Sequence, residues 1–355
     1  MTKLSLAMIV KNEEKHLERC LQSVRNIVDE MIIVDTGSQD RTIEIAHSFG
    51  AKVVHYKWNH NFSEARNVSI NHASGEWILI LDADEFVLGG QKEKIESFIS
   101  GKKAVGRVSL ISKFEHNGEV RYSTSFLSRL FPRGVFYEGF IHEQVVTDLP
   151  HLKTGIEIFH EGYYKTEKSN RNLPILLRQL EVNQSDPYIL FHIAKNYKNM
   201  GLAEKALEYF VSAYNYRNRN EGYTPLLIVE YLQTLLEARR FSEGLEIINN
   251  ESDYLSAYPD FHFAVGMFYL DYVSQDVMNR LHFLDDVERS FLTCLEIGDV
   301  SNFDSVNGTG SYLALYNLGV LYEVTGDIEK AILCYEDASR FNYAPAEERL
   351  ALLEI

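Results

Sequence analysis

Four short apolar runs, separated by polar turns and segments of helical period, open this chain. Leu4 to Val10 reads as a strand. After Lys11-Asn12-Glu13-Glu14, the residues Leu17, Cys20, Leu21 and Val24 recur at the spacing of one helix face. Met31 to Val34 is a second buried strand. The stretch Asp35-Thr36-Gly37-Ser38-Gln39-Asp40-Arg41-Thr42 opens the next helix, with Gly37 permitting a tight turn and Ser38 or Asp40 available as the cap. Lys52 to Tyr56 forms the third strand, and a helix from near Ser63 carries Ala65, Arg66 and Asn67 toward Ala73. The fourth run starts at Trp77 and ends in Asp82-Ala83-Asp84-Glu85. Strand and helix in alternation predict a parallel sheet with right-handed crossovers, and the C-terminal edge of such a sheet is where ligands bind.

Polar groups gather at that edge. Asn12 and Glu13 follow the first strand, Asp35 and Thr36 the second, Asp82 and Asp84 the fourth. Along an extended chain, residues two apart face the same side, so Asp82 and Asp84 can address one ligand with Ala83 turned away. Two hard oxygen donors in this arrangement suit Mg²⁺ or Mn²⁺, which typically bridge a carboxylate and substrate phosphates. A D-x-D pair alone equally describes a strand-end turn with solvated acids, so the argument rests on the convergence of three strand ends. No G-x-G-x-x-G follows the first strand and no G-x-x-x-x-G-K-[ST] occurs, which leaves a dinucleotide fold and a P-loop NTPase unsupported.

Between Val105 and His160 the pattern turns β-rich, through Val105–Ile111, Glu119–Tyr122, Arg129–Arg133 and a last strand ending in His160. From about Asn170 the period is helical and punctuated by glycine. Ala194, Tyr197, Gly201, Ala206, Phe210 and Ala213 match the spacing of a tetratricopeptide repeat, as do Leu318, Gly319, Tyr322, Gly326, Ala331, Tyr335 and Ala338. About four such units fit, enough to bury a continuous core.

Length and composition agree with two domains. The chain has 355 residues, 45% of them apolar and 12% aromatic, ample for packing. A net charge of −16 argues against nucleic acid or an anionic membrane as the main partner. No apolar run reaches membrane-spanning length and the N-terminus enters a strand without a signal pattern, so a soluble, cytoplasmic protein is expected. Cys20, Cys294 and Cys334 are isolated and odd in number, which fits reduced thiols.

The motifs M-I-V-K-N-E-E, V-D-T-G-S-x-D-x-T, W-x-x-x-F-S-x-A-R-N and L-D-A-D-E, in this order and spacing, resemble a family 2 glycosyltransferase of GT-A fold over roughly residues 3 to 165. The resemblance implies an α/β domain over 1–165, an all-α repeat domain over 166–355, and inverting transfer from a UDP-sugar. Carried over by position, Asp35 or Thr36 would contact uracil, Asp82 the ribose side, Arg66 the nucleotide and diphosphate, and Asp84 the metal. Asn12, Glu13, Ala83 and Arg129 complete the donor-binding set. Many relatives read D-D-G-S where this chain has Asp35-Thr36-Gly37-Ser38, which leaves open which of the first two reads the base.

Arg129-Leu130-Phe131 and Gly139-Phe140-Ile141-His142-Glu143 resemble the R-L-F … G-x-(I/V)-H-E signature of one branch of the family. Inverting transfer needs a carboxylate to take the acceptor's proton. Glu143 is the candidate, with His142 orienting it or contacting the donor. His160, followed by Gly162, resembles the family's late histidine, which joins the D-x-D acid at the metal and as neutral imidazole suits Mn²⁺ better than Mg²⁺. The Q-x-x-R-W signature of processive synthases is absent, so one sugar per event is expected.

A repeat array commonly holds an extended peptide, so the acceptor is expected to be a peptide or protein, or the repeats serve self-association as a homodimer. The domain pair resembles bacterial S-glycosyltransferases that modify cysteine or serine in bacteriocin precursors. It also resembles transferases for surface glycans and spore coats. A non-catalytic scaffold is the alternative of another class. A nucleotidyltransferase would need a glycine-rich basic loop where Lys11-Asn12-Glu13-Glu14 stands.

Overall fold

Strand β1 (Leu4–Val10) is buried along almost its whole length, as the centre of a parallel sheet requires. It pairs in parallel with β2 (Glu30–Asp35) and β4 (Trp77–Ile80), and β3 (Lys52–His55) lies outside β2. Helices α1 (Leu17–Val24), α2 (Thr42–Ser48) and α3 (Phe62–His72) make the connections. Successive residues of β1 serve opposite faces. Leu4, Leu6, Met8 and Val10 pack with Leu17, Cys20, Leu21 and Val24 of α1 in the larger cluster, while Ala7 meets Ile70 of α3 and Ile78 and Ile80 of β4 in the other. The α1 face read from spacing is therefore the packing face.

The structure is a computed structural model that describes residues 3–116, 118–161, 167–301 and 303–353. Gly162, read together with His160, and the expected division between 165 and 166 lie outside these residues. The chain separates into two compact units between Val182 and Asn183.

Beyond β4 the sheet is mixed rather than parallel. After β5 (Glu85–Val87) and α4 (Lys92–Ile99), a long hairpin of β6 (Val105–His116) and β7 (Glu119–Pro132) adds β7 antiparallel to β4. Two short strands, β8 (Phe136–Glu138) and β9 (Gln144–Val146), then form a separate hairpin. Finally β10 (His151–His160) runs parallel to β6 and antiparallel to β5, completing the order β3-β2-β1-β4-β7-β6-β10-β5. Helix α5 (Glu167–Val182) has the helical period of the repeats but belongs to the first unit.

The second unit is helical: α6 (Pro187–Asn199), α7 (Ala203–Tyr216), α8 (Thr224–Glu237), α9 (Phe241–Glu251), α10 (Pro259–Ser274), α11 (Val277–Arg280), α12 (Leu284–Ile297), α13 (Tyr312–Thr325), α14 (Ile328–Ser339) and α15 (Ala344–Leu353). Among them α6 packs on α7, α8 on α9, α10 on α12 and α13 on α14, as the glycine-punctuated period predicts. The glycines are there for closeness. A Cβ at Gly319 of α13 would stand 2.5 Å from the ring of Tyr335, which is fully buried on α14. Gly319→Ala is accordingly expected to cost about 1–3 kcal/mol by overpacking, read as a lower melting temperature of the full chain. Among the described residues no helix is long and apolar enough to cross a membrane.

Candidate active site

Strand β4 ends at Ile80, and Leu81-Asp82-Ala83-Asp84 leave it as a turn before Glu85 enters β5. The two acids thus sit past the strand, not along it, and alternation no longer governs them. Leu81 and Ala83 are both in the apolar core, so Ala83, expected among the donor-facing residues, points its methyl away from the polar edge. The carboxylates part company. Asp82 meets two arginines and Asp84 a histidine, where an extended chain would have aimed both at one ligand.

Asp82 is the middle of a row of alternating charge. Its Oδ1 accepts from Arg66 Nη2 at 2.7 Å and its Oδ2 from Arg129 Nη2 at 2.8 Å. The same Arg129 Nη2 donates to Glu85 Oε1 at 2.6 Å, and Arg66 Nε donates to Glu143 Oε1. The row runs Glu85, Arg129, Asp82, Arg66, Glu143. Burial disfavours charge on Asp82, yet Arg129 and Arg66 hold its carboxyl far below the usual carboxylate range. Burial dominates at Glu85 and, with the negative charge of Asp82, holds that carboxyl above the usual range despite Arg129. Burial also opposes the charge of Arg66, but Asp82 and Glu143 outweigh it and raise its pKa. The Arg66 side chain is only 8% exposed, and its Nη1 is buried without a hydrogen-bond partner among the described residues.

The W-x-x-x-F-S-x-A-R-N stretch explains how Arg66 is aimed. Asn61 caps α3 by accepting the Glu64 amide at 3.2 Å, and the rings of Trp58 and Phe62 pack edge to face at 4.7 Å. Asn67 grips the backbone of Tyr137 in both directions, its Nδ2 donating to the carbonyl and its Oδ1 accepting the amide, each at 2.9 Å. That brings β8 and the Tyr137 ring beside the Arg66 guanidinium, 5.8 Å from the ring centroid.

Asp84 Oδ2 and His160 Nε2 lie 3.1 Å apart, and the other ring nitrogen, Nδ1, lies 3.2 Å from Ser112 Oγ. Register sets this up, because His160 of β10 pairs with Ser112 of β6 and with Glu85 of β5. A carboxylate oxygen beside an imidazole nitrogen whose ring is oriented from behind is a donor pair that fits a divalent cation. Among the described residues no group of three or more His, Cys, Asp and Glu is gathered for a metal.

The first two strand ends are latched together. Asn12, in the left-handed region at φ 56°, accepts the Gln39 amide with Oδ1 at 2.8 Å, and its own amide donates to Ser38 Oγ at 2.9 Å. Ser38 therefore serves this latch and does not cap α2. Arg41 stands at the cap position of α2 without a side-chain cap bond, so Asp40 does not cap either; it lies one residue earlier and accepts the Thr42 amide with Oδ1 at 3.0 Å. The Glu13 amide donates to Thr42 Oγ1 at 2.7 Å. Buried Asp35 accepts the amides of Gly37 and Ser38 at 3.1 and 3.0 Å, while the Thr36 hydroxyl donates to the Val10 carbonyl at 3.0 Å. Beneath the acidic turn, the thiol of Cys20, 1% exposed, donates to the Asp82 carbonyl at 3.5 Å, and burial pushes its pKa well up.

Helix α5 brings residues that sequence reasoning did not nominate. The Arg171 guanidinium lies 5.3 Å from the Phe62 ring centroid; burial lowers its pKa, and the negative charge of Glu13, Asp82 and Asp84 acts on it in the opposite sense. Gln179 Oε1 accepts the amides of Phe140 and Ile141 at 2.9 and 3.3 Å. Glu85 and Ser112 were also missed. Glu85 is visible in the sequence as the fifth letter of L-D-A-D-E; Ser112 carries no local signal.

Residues 5–154 match the family model for glycosyl transferase family 2, and residues 312–344 a tetratricopeptide repeat. The first unit carries a family 2 glycosyl transferase domain. This match lies within the first unit, and the repeat match covers α13 and α14 of the helical unit. Among curated proteins, a TPR repeat-containing protein of Synechococcus elongatus is 44% identical over 131 residues, covering 37% of this chain and 32% of that one. The SPbeta prophage-derived glycosyltransferase SunS of Bacillus subtilis is 28% identical over 232 residues, 61% of this chain and 55% of SunS. The chain thus spans about a third to a half of the length of these relatives. Glucosyl-3-phosphoglycerate synthase from Mycobacterium tuberculosis, solved with Mn²⁺, UDP-glucose and phosphoglyceric acid, is 22% identical with a TM-score of 0.26 over 33% of this chain and 45% of that one.

Proposed function

We propose that this chain transfers a single sugar, with inversion, from a UDP-sugar to a cysteine or serine side chain of a peptide or protein. The row of alternating charge at the edge of the family 2 domain carries the reading. Breaking a sugar–phosphate bond builds negative charge on the departing diphosphate, and preorganised guanidiniums stabilise that charge where it develops. Arg66 is buried and held charged by Asp82 and Glu143, and its Nη1, with two N–H groups, has no hydrogen-bond partner among the described residues, which suits an anion-binding donor. Asn12, Glu13, Asp35 and Thr36 lie at the neighbouring strand ends and are assigned to the uridine, with Asp82 and Arg129 on the ribose side.

Glu143 takes the acceptor's proton as the nucleophile attacks the anomeric carbon from the face opposite the diphosphate. Its Oε1 is engaged by Arg66 Nε, which leaves Oε2 to receive that proton. Asp84 and His160 would hold Mn²⁺ or Mg²⁺. Bound there, the cation would neutralise part of the diphosphate charge. The helical unit is assigned to the peptide acceptor, the use to which repeat arrays are commonly put.

Incubation with a panel of UDP-sugars and Mn²⁺, watching for slow hydrolysis, tests the donor. Asp84→Ala is expected to abolish metal-dependent turnover and the metal-dependent part of UDP binding in calorimetry. Full metal-dependent activity in that variant would remove the central assignment. A scaffold without catalysis would show no metal-dependent nucleotide binding in the wild type.

A further inference from the structure

We propose that Gln179 of α5 is a positioning residue for the transfer reaction, its amide oxygen pinning the turn that carries His142 and Glu143. The inference rests on the assignment of Glu143 as the base. Residues 139–143 form the loop of the β8–β9 hairpin, closed by the pairing of Glu138 with Gln144. Two of its residues have positive φ, Gly139 at 98° and His142 at 51°. Histidine rarely adopts that conformation, and it persists when the surroundings hold it.

The hold comes from two helices. On one side the Phe62 amide, at the start of α3, donates to the Phe140 carbonyl at 2.8 Å. On the other, Gln179 Oε1 accepts both the Phe140 and the Ile141 amides. Two N–H donors can be met only by the oxygen of the side-chain amide, which fixes its orientation. Ile141 is itself 4% exposed, and the Arg178 guanidinium lies 5.0 Å from the Phe140 ring centroid. The loop is thereby fixed relative to α3, the helix of Arg66, and it is this relation that brings Glu143 Oε1 to Arg66 Nε. Without an acceptor at position 179, two amides in a crowded loop lose their partner, and the loop is free to move the base from its place. The same contacts explain why α5 travels with the first unit.

Comparing Q179M with Q179E in the full chain separates anchoring from packing. Methionine keeps the length but has no comparable acceptor; glutamate keeps an oxygen for both amides. Amide hydrogen exchange at Phe140 and Ile141 is expected to rise about tenfold or more in Q179M and to stay near wild type in Q179E. Hydrolysis of a UDP-sugar with Mn²⁺, water taking the acceptor's place, should fall in kcat by about 10- to 100-fold in Q179M, with UDP affinity unchanged, and return to within about threefold in Q179E. Unchanged exchange in Q179M overturns the anchoring, and faster exchange with unchanged kcat overturns its role in the reaction. Q179A serves the same comparison where Q179M fails to fold. Absence of UDP-sugar turnover in the wild type would count against the donor reading, and the exchange data would still decide whether Gln179 pins the turn.

Discussion

Asp82→Ala is expected to lower the stability of the chain by roughly 2–4 kcal/mol and to reduce UDP-sugar turnover about a hundredfold to a thousandfold. The Asp82 side chain is 33% exposed, but the two guanidiniums it serves are each 8% exposed, so the cost arises from the cations left behind. Glu143 and Glu85 remain as partners for Arg66 and Arg129, which sets the expectation below that for a fully stranded buried charge. Thermal unfolding and donor hydrolysis measure the two effects separately. A variant that melts with the wild type would mean that the arginines do not depend on this carboxylate.

Glu143→Gln should behave differently, with transfer to the acceptor falling about 10²–10⁴-fold while the fold and UDP binding persist. Glutamine keeps a side-chain oxygen for Arg66 Nε, so the geometry survives while the capacity to take a proton is lost. Single-turnover measurement with saturating donor isolates that step. Wild-type transfer in Glu143→Gln would remove this residue from the role of base and leave it as a holder of Arg66.

Much of the framework was legible because it depends on local pattern. The unbroken apolar runs at Leu4–Val10 and Met31–Val34 have to be central strands, and the α1 face at Leu17, Cys20, Leu21 and Val24 follows from the helical period. Motif order also brought Arg66, Asp82, Arg129 and Glu143 to one place, and Asp84 to His160. What was missed depends on termination, register and docking. The strand stops at Ile80, so the i, i+2 rule no longer held at Asp82 and Asp84. Ser112 reaches His160 through strand register across β6 and β10, separations that no local window covers. Helical period placed α5 among helices but was silent on which unit it packs against, so Arg171 and Gln179 were counted with the repeats.

The thiol under the acidic turn gives the molecule a built-in reporter. Cys20 is sealed against the Asp82 carbonyl, whereas Cys334 is partly accessible. An alkylating reagent should therefore label Cys334 first and reach Cys20 only in the moments when the turn lifts. The labelling rate at Cys20 then clocks the breathing of that turn, and a nucleotide seated above it would slow the clock.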